Sequence, residues 1–374
     1  MAAIELALRR VTPTAIIIAL SLSILPLWAR ADDEDRAALS TYVYTDSDGL
    51  TVVHPSASGA LHVTPELRLD ARYDADVISS ATIDVRTSAS VRPFEEVRHG
   101  GRVGATVELA RTLRAGASYQ LSWSPDYQAH SLGLSGRAED DERVLSLGLD
   151  LRASYDVVGR AGDPSPSGEA SALGAALSGS SVIASWLVLD ASLALEWQHG
   201  YLESPYRLVW IRGLDQERVV VSEQVPDDRV RTALSMGLRA ALDPRVFVRA
   251  GYRLHADDWG VLGHTVELRA SLEPHDDWLV TLQTKLLIQR GASFYQGTYA
   301  TLPEVPLWRT RDRELAPSHA TSVTAIVDWR FLREGELSVH VSARGELLYH
   351  RYLDTPLLPE RVGAVTGLAL TLVR

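Results

Sequence analysis

Residues 145–157 read LSLGLDLRASYDV. The odd positions Leu145, Leu147, Leu149, Leu151, Ala153, Tyr155 and Val157 are apolar, and Ser146, Gly148, Asp150, Arg152, Ser154 and Asp156 stand between them. A helix would put Leu145, Gly148, Leu149 and Arg152 on one face, which is no apolar stripe, so the period is two and the segment is a strand with one apolar and one polar face. The pattern recurs at Leu67 to Val77, at Val246 to Leu254 and at Leu337 to Ala343. These runs are about twice the usual length of a soluble strand and match what a tilted membrane strand needs.

Extended along the chain, the template predicts about 16 strands, with 14 as the runner-up, near residues 38–46, 50–63, 65–78, 99–113, 115–126, 128–140, 143–157, 170–184, 186–200, 229–242, 245–257, 261–273, 277–291, 319–332, 335–352 and 362–373. Connections at one end are tight, as at Asp243-Pro244. Those at the other include the long stretches 79–98, 158–169, 201–228, 291–318 and 353–361. An up-and-down barrel with short periplasmic turns and long outer loops has this parity, whereas a Greek-key sandwich has no such rule. The predicted fold is therefore all-β: a single closed antiparallel transmembrane β-barrel. Prolines fall in connections or at strand ends, except Pro55, where a bulge or kink is expected.

Ahead of the barrel lies a basic start at Arg9 and Arg10, an apolar run from Ala15 to Leu25 and the triplet Ala29-Arg30-Ala31. This reads as a cleaved signal peptide over residues 1–31, with the barrel at 32–374; the rival, an anchor helix, would need a longer apolar run. The expected location is the bacterial outer membrane, with its lipid and the barrel-assembly machinery as partners. The chain has no cysteine, which excludes disulfides, thiolate metal sites and lipid attachment through cysteine. A net charge of −11 argues against nucleic acid as a partner. No Gly-x-Ser-x-Gly elbow, His-Glu-x-x-His helix or phosphate loop occurs, so no catalytic residue, metal or cofactor is assigned, and a rim-located hydrolase is the enzymatic alternative.

If leucines face lipid, the polar parity lines the lumen. Arg229, Arg231, Arg239, Arg245, Arg249, Arg253, Glu267 and Arg269 then form a charged wall on adjacent strands. That wall either attracts anions or is a ladder of arginines neutralised by neighbouring carboxylates. Tyr42, Tyr44, Trp123, Tyr127, Trp186, Trp197, Tyr201, Trp278, Trp329 and Tyr352 lie near strand ends, as interface girdles would. Asp46-Ser47-Asp48-Gly49 reads as a hairpin turn, with calcium binding as the alternative. Loops 201–228 and 291–318 are the candidates for folding over or into the barrel.

The stretch Tyr252-Arg253, Asp257-Asp258-Trp259-Gly260 and His264-Thr265, followed by Gln289, Ala292, Phe294-Tyr295, Thr310, Asp312, Glu314 and Leu315, resembles an uncharacterised family of bacterial outer-membrane barrel proteins known only as a domain of unknown function. Tyr44 with Asp48, Tyr73-Asp74 and Ser79-Ser80-Ala81-Thr82 fit it too. Ser80 stands where glycine is expected, Lys285 to Ile288 is more aliphatic than usual, and Arg374 replaces a terminal aromatic. The residues alone leave the Asp257 to His264 hairpin open between a metal or acid-base site and a plain acidic turn with Trp259 as interface anchor; with Tyr252 set opposite His264, His255 and His264 need not share a face. The resemblance implies the fold and the outer membrane. For function, the expectation is a conduit or export component for polar solutes; the alternative, which the resemblance implies, is a non-conducting structural or partner-binding barrel in a periplasmic redox-linked system.

Overall fold

The computed structural model describes residues 34–80, 94–160, 163–212, 218–299, 305–356 and 358–374. The expected signal peptide lies outside the described residues. Among them the strands are β1 (Arg36–Asp46), β2 (Leu50–His62), β3 (Leu67–Ser80), β4 (Phe94–Ala110), β5 (Leu113–Ser124), β6 (Tyr127–Glu139), β7 (Leu145–Arg160), β8 (Asp163–Ala184), β9 (Leu187–Gly200), β10 (Leu208–Arg212), β11 (Arg218–Ser222), β12 (Asp228–Asp243), β13 (Val246–Asp257), β14 (Leu262–His275), β15 (Trp278–Arg290), β16 (Ser318–Glu334), β17 (Leu337–Tyr352) and β18 (Glu360–Val373). All but β10 and β11 form one closed antiparallel barrel in which sequence neighbours pair and β18 returns to β1. That is 16 strands. The seam is fastened by Asp35 and Arg374, each N–H donating to the other's carbonyl at 2.9 Å. No described helix is long and apolar enough to cross a membrane, so the wall is made of strands.

Sixteen strands spaced about 4.8 Å and tilted about 40° enclose a backbone cylinder roughly 30 Å across. Its outer face carries the leucines: Leu145, Leu147, Leu149 and Leu151 are all exposed, as are Leu189, Leu193 and Leu195. Trp186 and Trp197 bracket the latter set. Eleven residues along a tilted strand separate them by roughly 28 Å of height, close to the apolar band of about 25 Å that such barrels present. The tryptophans Trp123, Trp186, Trp197, Trp278 and Trp329 all point outward, the last two stacked at 5.4 Å. Among the tyrosines of the expected girdles the outcome is the reverse. Tyr42 and Tyr44 lie on the polar parity of β1 and pack over Gly367 and Gly363 of β18, where an added Cβ would meet the rings at 2.0 and 2.9 Å. Tyr127 and Tyr352 also point inward, and Tyr201 sits in a loop. An inward tyrosine satisfies its hydroxyl on a luminal carboxylate, as Tyr44 does on Asp46 at 2.9 Å and Tyr127 on Asp156 at 2.8 Å.

Two strand pairs run farther than the sequence pattern suggests. β8 begins at Asp163, but its pairing with β9 begins at Ala170, so its first residues and the end of β7 project above the neighbouring wall as a ribbon with a free edge. Pro164 and Pro166 fall in that stretch, where no ladder on the β9 side needs their N–H. Likewise β4 starts at Phe94, before its first partner on β5 at His99. Pro55 introduces no bulge: Val53 faces Val77 and Ser56 faces Asp74 in one continuous register, and the ladder is only interrupted between them. The register shifts occur instead beside short turns, such as Ala241/Asp243 and Arg330/Leu332, where a bulge tightens the hairpin.

Candidate functional site

The long-loop end is closed over by a small folded unit. The described residues of 201–227 and 291–317 pack on one another, the first contributing the β10–β11 ribbon and the second the 3-10 turn Arg313–Leu315. Backbone bridges join Ile211 to Tyr299, Gln224 to Arg309 and Tyr295 to Thr310. One apolar cluster gathers Val225, Trp259, Val261, Ala292, Tyr295, Leu315, Ala316 and Tyr352, and a second gathers Val209, Ile211 and Tyr299. Buried polar backbone on such irregular segments must find partners. The side chains supply them.

Glu223 is the hub. It is 3% exposed and accepts from the Ser204 N–H at 2.9 Å, from Arg207 at 3.1 Å and from the Thr310 hydroxyl. Arg207 also reaches Asp312 at 2.9 Å, and Asp312 caps the 3-10 turn through the Glu314 N–H at 3.0 Å. Burial pushes the Tyr299 phenol up to about 12, and its hydroxyl donates to the Thr310 carbonyl at 3.2 Å while accepting the Thr310 N–H at 2.9 Å. Burial likewise raises Glu203, with Glu223 and Asp227 adding to the rise against the lowering hydrogen bond from the Val225 N–H.

The unit is tied to the four other described connections of this end. Arg313 bonds Asp48 of the β1–β2 turn at 2.6 Å, and both side chains are buried. Tyr206 donates to Asp126 between β5 and β6, and the Tyr295 and Thr355 hydroxyls, the latter between β17 and β18, share a hydrogen bond of 2.7 Å. Glu314 accepts from Arg361 of β18 at 2.9 Å. The Asp257 to Gly260 turn is the remaining anchor. We refer to this unit as the lid.

That turn is where the family-like hairpin acts. Asp257, with no exposed side-chain surface, accepts from Arg229 at 2.9 Å and from the Val261 N–H at 2.8 Å; Asp258 accepts the Val230 N–H at 3.0 Å. Gly260 adopts φ +98°, and an added Cβ would stand 3.3 Å from the Ser293 nitrogen. Trp259 is not an interface anchor. It is 5% exposed, donates to the Asp228 carbonyl at 2.8 Å, lies under the Arg229 guanidinium at 4.3 Å and meets Phe294 edge-on. The hairpin register sets Tyr252 opposite Val266, not His264, and Arg253 opposite Thr265; Tyr252 still reaches His264 Nδ1 diagonally at 2.7 Å on the outer face. His255 faces inward, so the two histidines occupy opposite faces. The Asp46 to Gly49 segment is a turn in which Asp46 accepts the Asp48 and Leu50 N–H groups at 3.0 Å and Gly49 takes φ +85°. Phe294, Tyr295, Asp312 and Glu314 all end in the lid.

Below the lid the wall divides. On β5 to β8, inward glycines meet serines of the next strand: Gly116 Ser135, Gly133 Ser118 and Gly148 Ser178. Between these small residues the same face carries Arg114, Arg137, Asp150, Arg152 and Asp156, so this side mixes small and charged groups. Opposite it, β12 to β15 carry further charges, and most are paired. Arg239 and Arg249 share Asp190 at 3.2 Å each, Arg231 lies 3.7 Å from Glu196, and Glu267 holds Arg269 at 3.4 Å and Lys285 at 3.7 Å. Arg245 lies in the β12–β13 turn, outside the strands, bonded to Asp276 at 3.0 Å. Sequence reasoning missed the roles of Glu223, Thr310 and Arg361, because their partners are loops far apart in the chain.

No curated protein matches this chain. Among solved structures it resembles a bacterial polysaccharide outer membrane secretin, at 8% identity over 91% of this chain and 98% of that one with a TM-score of 0.52. A mutant of the TodX monoaromatic hydrocarbon channel matches at 12% identity over 92% and 91% with a TM-score of 0.45. A loop-deletion mutant of OmpT, an outer membrane protein of Vibrio cholerae, matches at 9% over 90% and 98% with 0.41. At such identities the likeness is one of fold. The family model described as Protein of unknown function (DUF3570) matches residues 163–368. With more than half its length so matched, and with a closed apolar-banded barrel as its body, the chain is a bacterial outer-membrane β-barrel belonging to this family of unknown function.

Proposed function

We propose that this barrel is a lidded conduit for polar solutes or an exported product across the outer membrane. The observation that carries the proposal is the make-up of its interior: a polar lumen beneath a lid, with inward glycines packed against serines on β5 to β8 and charges largely paired on β12 to β15. A barrel whose only task were structural would have no need of a broad wall of small inward residues, which leaves free cross-section in a cylinder roughly 30 Å wide. The Val209, Ile211 and Tyr299 cluster and the Glu223 hub lie within the lid's own loops, so the lid is able to stay folded or loosen without disturbing the strand ladder.

Proteoliposome swelling tests the reading. Wild-type protein is expected to admit small neutral sugars slowly, and the Glu223→Ala variant, with its hub removed, faster. If both are as impermeable as empty liposomes while the protein migrates as a folded, heat-modifiable barrel, the conduit reading fails. The non-conducting, partner-binding barrel then stands in its place.

A further inference from the structure

On the charged wall one guanidinium differs from its neighbours. Arg229, Arg231, Arg239, Arg249 and Arg269 each have a carboxylate within 4 Å. Arg253, exposed to the lumen in the upper half of β13, has no ion pair or hydrogen bond to any described residue. Carboxylates near it on the wall are already committed: Glu267 to Arg269 and Lys285, Asp257 to Arg229, and Asp190 to Arg239 and Arg249.

Its neighbours across the strands are hydroxyls. Ser235 of β12 and Thr265 of β14 are its register partners, so guanidinium and two hydroxyls form one inward row across three strands. The row toward the short turns reads Gly237-Gly251-Glu267, with the Asp190 carboxylate over Gly237, and the row toward the lid reads Ala233-His255-Gly263. Gly251 below and Ala233 and Gly263 above leave the row open on those sides, while Glu267 and Asp190, both already paired to cations, flank it below. A planar guanidinium offers paired N–H donors that match the two oxygens of a carboxylate or phosphate, and flanking hydroxyls extend the contact.

We infer that Arg253, Ser235 and Thr265 form a luminal binding site for an oxyanion, the carboxylate or phosphate group of a solute inside the barrel. This deepens the conduit reading by naming the substrate class, yet binding at the row is measurable without transport. Inorganic phosphate is titrated into the detergent-solubilised barrel, as wild type and in the Glu223→Ala background that opens the lid, and followed by calorimetry and by phosphorus NMR line width. The expected result is saturable binding in at least one background. Arg253→Gln should weaken it about tenfold, the usual scale of one charge-assisted bidentate contact. Arg249→Gln, which removes a guanidinium already paired, should change it by about twofold at most. Heat-modifiable migration checks that each variant is folded. No binding in either background, or equal losses from the two substitutions, overturns the site. A barrel that binds phosphate through Arg253 yet passes no solute overturns the conduit alone; one that conducts while Arg253→Gln binds as wild type overturns the site alone.

Discussion

Removing the Glu223 carboxylate is the sharpest perturbation of the lid. In Glu223→Ala the Ser204 N–H, the Arg207 guanidinium and the Thr310 hydroxyl lose their shared acceptor. Breaking a buried ion pair costs about 3–5 kcal/mol when the surviving charge is stranded. Arg207 is not stranded, because Asp312 still holds it at 2.9 Å and its side chain is 24% exposed, so the lower end applies. A loss of about 3 kcal/mol multiplies the population of the opened lid roughly a hundredfold. Hydrogen exchange by mass spectrometry reads it directly: peptides covering 201–212 and 305–317 should exchange about a hundred times faster, and strands β5 to β8 should not change. Lid exchange within about threefold of wild type, or acceleration spread evenly over the barrel, would refute the reasoning that Glu223 organises a separable unit.

Gly260→Ala forces a side chain into φ +98° against the Ser293 nitrogen, and should cost about 1–2 kcal/mol, seen as earlier proteolysis in the 291–318 loop with the barrel still heat-modifiable. Leu193 faces lipid in mid-strand, so Leu193→Arg should destabilise by about 2–4 kcal/mol in urea unfolding from vesicles, whereas Ser192→Arg, one residue away on the luminal face, should cost far less. Equal costs would mean the assigned faces are wrong. Glu203 carries a raised pKa, so the folded lid binds its proton more tightly than the unfolded chain does. Its contribution is full below the ordinary carboxylate range and is lost as pH rises through the raised value. Glu203→Gln should therefore slow lid exchange at pH 7 and make no difference near pH 4; a pH-independent effect would contradict the assignment.

The barrel was legible because its signal is local and repeated. Leu145 to Val157 alone decides between period two and period 3.6, and the same test applied along the chain recovers all 16 wall strands. What was not legible depended on contacts remote in sequence. Arg313 and Asp48 are 265 residues apart and nothing in either neighbourhood announces the other. The β10–β11 ribbon consists of two five-residue strands without alternation, below what pattern reading resolves. Trp259 misled for a physical reason: an indole in a turn at the membrane edge looks the same whether it anchors in lipid or is covered by Phe294 of another loop. The tyrosines are a different matter. Tyr42 and Tyr44 share the polar parity of β1 with Ser40 and Asp46, so their inward direction was available from Leu39 and the alternation, and proximity to strand ends was the weaker guide.

Whether the lumen opens beneath the lid is decided by cross-linking that lid. The chain has no cysteine, so Asp48→Cys with Arg313→Cys places the only two thiols of the protein at the buried tie between the lid and the β1–β2 turn. A bifunctional maleimide long enough to replace the lost ion pair joins them covalently, and single-channel current is recorded in planar bilayers before and after. Conductance is expected in the unlinked double variant, where the tie is cut, and its loss on linking, with both forms folded. Identical current in the two forms, or silence in both, would contradict a lumen that opens beneath the lid.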